Sequence, residues 1–219
     1  MVRVYYHIYA IEGVESIIEE QLQLIKTFFD FPYILNIGIS IANQNIPIDN
    51  ILEKFYNLNN INYHIRDIRA MGNEFVTLDL IEKDKEKFGN SDYILYFHTK
   101  GASRMKQSAY PNYESWRKIM NYFNIEKCKN VFELFEKTQY NTYGILLCSI
   151  PSSRIYGGNF WWMKSEYAKS INLKNIEKSR NNAEWRYIQM GKNWTPYSAY
   201  TLDHINYYYT NFKREEYAK

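Results

Sequence analysis

Asp92-Tyr-Ile-Leu-Tyr-Phe-His-Thr-Lys-Gly101 is the stretch that decides how this chain is read. The unbroken apolar run predicts a strand over Asp92–Phe97 that is covered on both faces, as strands of parallel sheets are. The strand then releases a histidine, a lysine and a glycine together. Glycine permits a tight turn or a ligand close to the backbone. Lysine supplies a compact positive charge suited to phosphate. Arg104 and Lys106 follow on the same loop and extend the cationic character. A routine solvated turn would also fit, but position and residue types favour a binding site.

Working back toward the N-terminus, the same alternation repeats. Glu74–Phe88 reads as a helix, Asn62–Ile68 as a strand, Asp49–Tyr56 as a short helix and Tyr33–Ala42 as a buried strand. Val14–Phe29 carries Ile17, Ile18, Leu22, Leu24 and Ile25 at helical spacing, with Pro32 as its stop signal. Val2–Ile11 is the first strand. This βαβαβαβ order predicts an α/β fold with a parallel, doubly wound central sheet flanked by helices. Ligands in such sheets bind beyond the carboxyl ends of the strands. Attention therefore falls on the segments after Ala10, Ala42, Ile68 and Phe97.

Forward of Gly101, Ser103–Pro111 reads as a polar, mobile loop and Tyr113–Lys137 as a long helical stretch. Thr142–Ile150 reads as a strand, and Gly157-Gly158-Asn159-Phe-Trp-Trp162 as a turn feeding another. Helical pieces follow near Glu166–Ile171 and Ala183–Met190. The Tyr-rich tail Thr195–Phe212 is expected to wrap back over the sheet. No repeat or linker divides the 219 residues, so one domain over 1–219 is the simplest organisation.

Composition excludes several classes. Hydrophobic residues at 46% exclude a disordered chain. The net charge of +3 comes from Lys and Arg interleaved with acids, without the basic stripe of a nucleic-acid-binding protein. Cys128 and Cys148 form no CxxC pair, so neither zinc nor a disulfide framework is indicated. No apolar run spans a membrane and no signal peptide opens the chain, which predicts a cytoplasmic protein. Walker, GxGxxG, HExxH and GxSxG motifs are absent. Aromatic residues reach 18%, including 22 Tyr, and an AT-rich coding sequence would produce much of that excess.

Four further candidates emerge. Arg69 and Glu74 flank Gly72 at a strand-to-helix turn; Glu74 either serves the helix dipole or touches a sugar or nucleotide. Trp161 and Trp162, adjacent in a strand, point to opposite faces, so one is expected in the core and one in a cleft. Glu184 in Ala183-Glu-Trp-Arg186 is either a solvated helix residue or a general base. His204 reads as a surface residue or a phosphate contact, while His7 and His64 lie within strands and read as structural.

Taken in order, Arg69-Ala-Met-Gly-Asn-Glu-Phe-Val-Thr-Leu78, Asp92–Gly101, Trp116-Arg117, Gly158-Asn-Phe-Trp-Trp162 and Ala183-Glu-Trp185 resemble a GT-A-like glycosyltransferase group that includes the rhamnan-synthesis-F-like proteins. The agreement runs over roughly residues 60–190. The resemblance implies an enzyme of polysaccharide biosynthesis that moves a sugar from a nucleotide-sugar donor, UDP- or GDP-linked, to a glycan or other acceptor. It implies a nucleotide-sugar-binding half over about 1–110 and an acceptor half over about 111–219. Such transferases carry Asp-x-Asp after the fourth strand, holding a divalent cation, Mn or Mg. Here that place reads His98-Thr99-Lys100, so Lys100, helped by His98 or Arg104, is expected to take over part of the metal's work, with no metal ligand named on the protein and a bound Mn or Mg left open. By the same resemblance Lys100 and Glu184 are the catalytic pair, with Glu184 as base in an inverting enzyme or holding the acceptor in a retaining one. His98, Lys100, Gly101, Arg104, Arg69 and Glu74 would bind the nucleotide sugar. Arg117 would contact phosphate. Gly158, Asn159, Trp161 and Trp162 would bind the acceptor. The missing Asp-x-Asp also leaves a second expectation open, a non-catalytic nucleotide- or sugar-binding module.

Overall fold

The computed structural model describes residues 1–43, 45–56, 61–150, 153–173, 176–202 and 206–218. Three strand–helix steps and a fourth strand open it: β1 Val2–Ala10, α1 Glu15–Phe28, β2 Tyr33–Ile41, α2 Ile48–Tyr56, β3 Tyr63–Ala70, α3 Phe75–Asp84 and β4 Tyr93–His98. β1 pairs in parallel with both β2 and β4, and β3 pairs in parallel with β2. The second part contains α4 Tyr110–Asn121, α5 Cys128–Lys137, β5 Thr142–Gly144, β6 Leu147–Ile150, β7 Ser153–Tyr156, β8 Trp161–Lys164, α6 Ser165–Ser170, α7 Arg180–Trp185, β9 Pro196–Ser198 and α8 Arg214–Tyr217. The seven-stranded sheet runs β3-β2-β1-β4-β8-β5-β9. β8 is antiparallel to both β4 and β5, so the sheet is mostly parallel, with one reversed strand in it.

Both faces of the sheet are covered, which explains the apolar runs. Along β1, Val4, Tyr6, Ile8 and Ala10 enter one core and Tyr5 the other. β4 divides likewise, Leu95 and Phe97 against Ile94 and Tyr96. α1 seals the first core with Ile17, Ile18, Leu22 and Ile25, the stripe its sequence spacing predicted.

Three expectations change. Ser103–Pro111 is not a loop throughout: a 3-10 turn covers Ala102–Arg104, and α4 begins at Tyr110 with proline in its first turn, where no backbone donor is lost. The stretch Tyr113–Lys137 is not one helix. A π-helical segment over Tyr122–Glu126, closed by Lys127 N–H donating to Tyr122 O at 2.9 Å, separates α4 from α5. The strand expected over Thr142–Ile150 splits. Leu146 adopts a left-handed backbone (φ +53°), and β6 leaves the central sheet to form a hairpin with β7. The tail does return: β9 adds a strand to the sheet, and Phe212 N–H donates to Ser115 Oγ on α4 at 3.0 Å. Among the described residues no helix is long and apolar enough to cross a membrane.

Candidate functional site

A cleft of about 250 Å³ opens beyond the carboxyl ends of the parallel strands. β1 contributes His7 and Tyr9, and the turn after β3 contributes Gly72, Asn73 and Glu74. The segment after β4 supplies its longest wall, His98 to Arg104. Tyr113 of α4, Arg180 and Glu184 of α7, and Tyr208 from the tail complete it. The location is the one the strand order dictates.

The wall after β4 is held rigidly. Thr99 Oγ1 accepts from Tyr9 N–H at 2.9 Å, and Gly101 turns the chain with φ +87°. Arg117, expected at phosphate, is 2% exposed and spent elsewhere. It pairs bidentately with Glu20, Nε to Oε1 at 3.1 Å and Nη2 to Oε2 at 2.9 Å. Its Nη1 donates to Lys100 O at 3.1 Å, so it fixes the loop backbone from beneath. The Lys100 side chain lies along Trp116, Nζ 4.2 Å from the ring centroid, and its ammonium is 3.6 Å from Glu184 Oε1. A partly desolvated cation on an indole face is worth about 1–2 kcal/mol. Trp116 thus stands at the cleft as the rest on which Lys100 lies.

His98 is buried, and its Nε2 lies 2.9 Å from Gly158 O. A carbonyl only accepts, so Nε2 carries the hydrogen and Nδ1 presents its lone pair. That lone pair faces Glu74 Oε1 at 3.7 Å. Burial, reinforced by the charge of Lys100, holds His98 well below the ordinary histidine range, so the ring is neutral. Glu74 is 8% exposed and its Oε2 is a buried oxygen with no hydrogen-bond partner. Burial first, and the Glu184 carboxylate second, push its pKa up to about 7, against the opposing charges of Lys100 and Arg180. His7 is also neutral, pushed by burial down to about 3, with Nδ1 at 3.0 Å from Thr77 Oγ1 and Nε2 at 3.2 Å from Ser40 Oγ.

Of the residues expected to bind nucleotide sugar, the structure gathers His98, Lys100, Gly101, Arg104 and Glu74 around one cleft, with Glu184 opposite. Arg69 does not line it: Arg69 is engaged with Asp67 and Asp79. The motif expected at the acceptor lies beneath the cleft. Trp161 and Trp162 are both fully buried and offer no face to a ligand, contrary to the expectation that one would. The reason is the covered sheet: alternation sends each tryptophan into a core, Trp162 into one and Trp161 into the other. Gly158 has φ +91°, and a Cβ there would stand 2.3 Å from Met120 Sδ. Asn159 accepts from Trp161 Nε1 at 2.8 Å and donates to Ala183 O at 3.4 Å, tying the turn to α7 and so positioning Glu184. Arg180, Tyr113 and Tyr208 escaped the sequence reading. Tyr208 carried a weak signal as part of the returning tail; Arg180 carried none. His204 and its neighbour Asp203 lie outside the described residues.

No three His, Cys, Asp or Glu side chains converge as a cation site among the described residues. The two carboxylates of the cleft, Glu74 and Glu184, share it with the Lys100 ammonium. This donor set does not fit a divalent cation.

The family model described as rhamnan synthesis protein F matches residues 1–160. No curated protein matches the chain.

Proposed function

We propose that this chain, which belongs to the rhamnan synthesis protein F family, is a nucleotide-sugar-dependent glycosyltransferase with a GT-A-like arrangement. The family name carries a role in polysaccharide synthesis. The finer reading rests on one observation: Lys100, at the carboxyl end of β4, is held over Trp116 and 3.6 Å from Glu184 inside the cleft. A fixed ammonium can stabilise a leaving diphosphate, and a carboxylate beside it can take the proton of an acceptor hydroxyl.

In the resting cleft the two neutralise each other. A bound donor offers Lys100 a diphosphate, whose charge density exceeds that of one carboxylate. Lys100 then stabilises the charge that develops as the bond from the sugar's anomeric carbon to phosphate breaks. Glu184, released from its partner, accepts the proton of the acceptor hydroxyl as that oxygen bonds to the anomeric carbon. The bookkeeping closes for an inverting transfer: one C–O bond forms, one breaks, the proton goes to Glu184 and the electron pair to the diphosphate. Arg104, stacked 5.8 Å from the Tyr113 ring centroid, and Arg180 extend the cationic wall toward the leaving group. Tyr113 and Tyr208, rather than Trp161 and Trp162, supply the aromatic surface for a base or sugar ring.

A thermal-shift panel of nucleotides and nucleotide sugars, with and without Mn²⁺, tests the ligand class. A ligand that binds only the folded chain raises the Tm. A rise with nucleotide sugars is expected. No rise with any nucleotide would overturn the reading, and binding without any transfer or hydrolysis would leave a non-catalytic binding module.

A further inference from the structure

We propose that Glu74 is the uncharged hydrogen-bond donor of the cleft: its Oε2 carries a proton when the nucleotide-sugar donor binds and gives that hydrogen bond to an oxygen of the diphosphate. This rests on the glycosyltransferase reading above and deepens it.

The argument starts from an apparent misfit. A cleft that takes a diphosphate should repel a second carboxylate, yet Glu74 lines it beside Glu184. Lys100, Arg180 and a hydrogen bond from Asn159 favour the ionised form, but burial and the Glu184 carboxylate outweigh them. One carboxyl oxygen, Oε2, is buried without any partner. The other, Oε1, faces His98 Nδ1, which the hydrogen bond from Nε2 to Gly158 O leaves as a lone pair. Two acceptors facing each other stabilise neither, whereas a protonated carboxyl is compatible with both the lone pair and an incoming anion. Taking a charged carboxyl out of water with one of its oxygens left without a donor is costly, and protonation of that oxygen avoids the cost. The shift of its pKa to about 7 agrees with this geometry. An anion placed against Oε2 raises it further, so the proton is taken from solvent as the ligand binds.

The groups that face Glu74 are His98 and Tyr96 from β4, Lys100 after it, Asn159 below, and Arg180 and Glu184 from α7. His98 is held neutral by burial and Tyr96 is pushed far above its ordinary range, also by burial first. Neither changes charge between pH 7 and 9. Glu74 is therefore the group whose proton links binding to pH in that window.

The test uses the whole chain with uridine and guanosine diphosphates as probes, titrated calorimetrically from pH 7.5 to 9. Where only the protonated carboxyl binds, Kd rises about tenfold per pH unit above the pKa of the free chain. One proton is taken up per ligand, seen as a dependence of the binding heat on buffer ionisation. Glu74→Gln, which keeps a neutral donor at that place, is expected to bind with a flat pH profile and no uptake. A flat profile in the wild type, or an unchanged slope in the variant, overturns the proposal while leaving the glycosyltransferase reading intact. Failure of both diphosphates to bind at any pH sinks that reading and this one with it. A second measurement needs no ligand: ¹³C carboxyl titration of the free wild-type chain should show one glutamate titrating near neutrality. Absence of that signal overturns the proposal even where the variant misfolds.

Discussion

Two clusters of ionisable side chains flank α3, and they are built on opposite terms. Along β3 and the outer face of α3, Asp84 and Asp79 are each paired with more than one donor. Asp84 accepts from Tyr5 Oη at 3.0 Å and from Arg66 Nη1 at 3.0 Å. Although burial pushes its pKa up, Arg66 brings it below the usual carboxylate range. Asp79 is shared by Arg69, at 3.5 Å, and Lys178, at 2.8 Å. At the N-terminal end of the same helix, Glu74 has an oxygen with no partner and a pKa pushed up to about 7. The contrast separates scaffold from site. Asp84 and Asp79 are satisfied by the chain itself, and the Glu74 oxygen at the cleft is not.

The largest effect expected in the cleft is on chemistry. Glu184→Gln should lower turnover by about 10²–10⁴-fold if Glu184 takes the acceptor proton. Donor affinity measured alongside should hardly fall, since the amide keeps the shape. Near-normal turnover would remove Glu184 from that role.

The next prediction sets the two clusters against each other through stability. Unfolded, Glu74 titrates at its ordinary value; folded, it holds its proton up to about 7. The folded chain thus binds the extra proton between those values, and stability falls as pH rises through that window. Glu74→Gln should remove the fall and raise stability at pH 8 by up to about 3 kcal/mol, read from urea unfolding at pH 5 and pH 8. Asp84→Asn should do the reverse. It strips a buried Tyr5 hydroxyl and Arg66 of a charged acceptor, at a cost of about 2 kcal/mol at neutral pH. Stability gained by both variants would erase the distinction. On the acid side His7 and His98, both neutral when folded, cost stability as pH falls below the ordinary histidine value.

The smallest expected effect is outside. Lys178 is half exposed, and Lys178→Ala should change stability by less than about 1 kcal/mol, since Asp79 keeps Arg69. A loss of several kcal/mol would mean that the outer cluster depends on its rim.

How far the sequence carried this picture follows from what each signal depends on. β1, β2 and β4 were legible because strands covered on both faces read as unbroken apolar runs. Their order put the site beyond the carboxyl ends of the strands, and His98, Lys100 and Gly101 singled out the segment after β4 as polar residues ending an apolar strand. The break between α4 and α5 was not legible, since Tyr122–Glu126 keeps helical spacing through its π turn. The split at Leu146 depends on a left-handed backbone at a residue type that does not signal one. Trp161 and Trp162 were misjudged because alternation tells which faces they take, not whether both faces are covered. Arg117 was taken for a ligand contact because its partner, Glu20, lies 97 positions earlier in the chain. Arg180 and Tyr208 reach the cleft only through the folding back of the C-terminal third.

The central claim is that an ammonium and a carboxylate, Lys100 and Glu184, carry out sugar transfer in this cleft. The most direct measurement is release of labelled sugar from UDP- and GDP-linked donors by the wild type in excess EDTA, beside Lys100→Met and Glu184→Gln. The account predicts wild-type turnover undiminished by EDTA and a loss of at least 10²-fold in both variants. Turnover that disappears in EDTA and returns with Mn²⁺, or variants that release sugar as fast as the wild type, would contradict it.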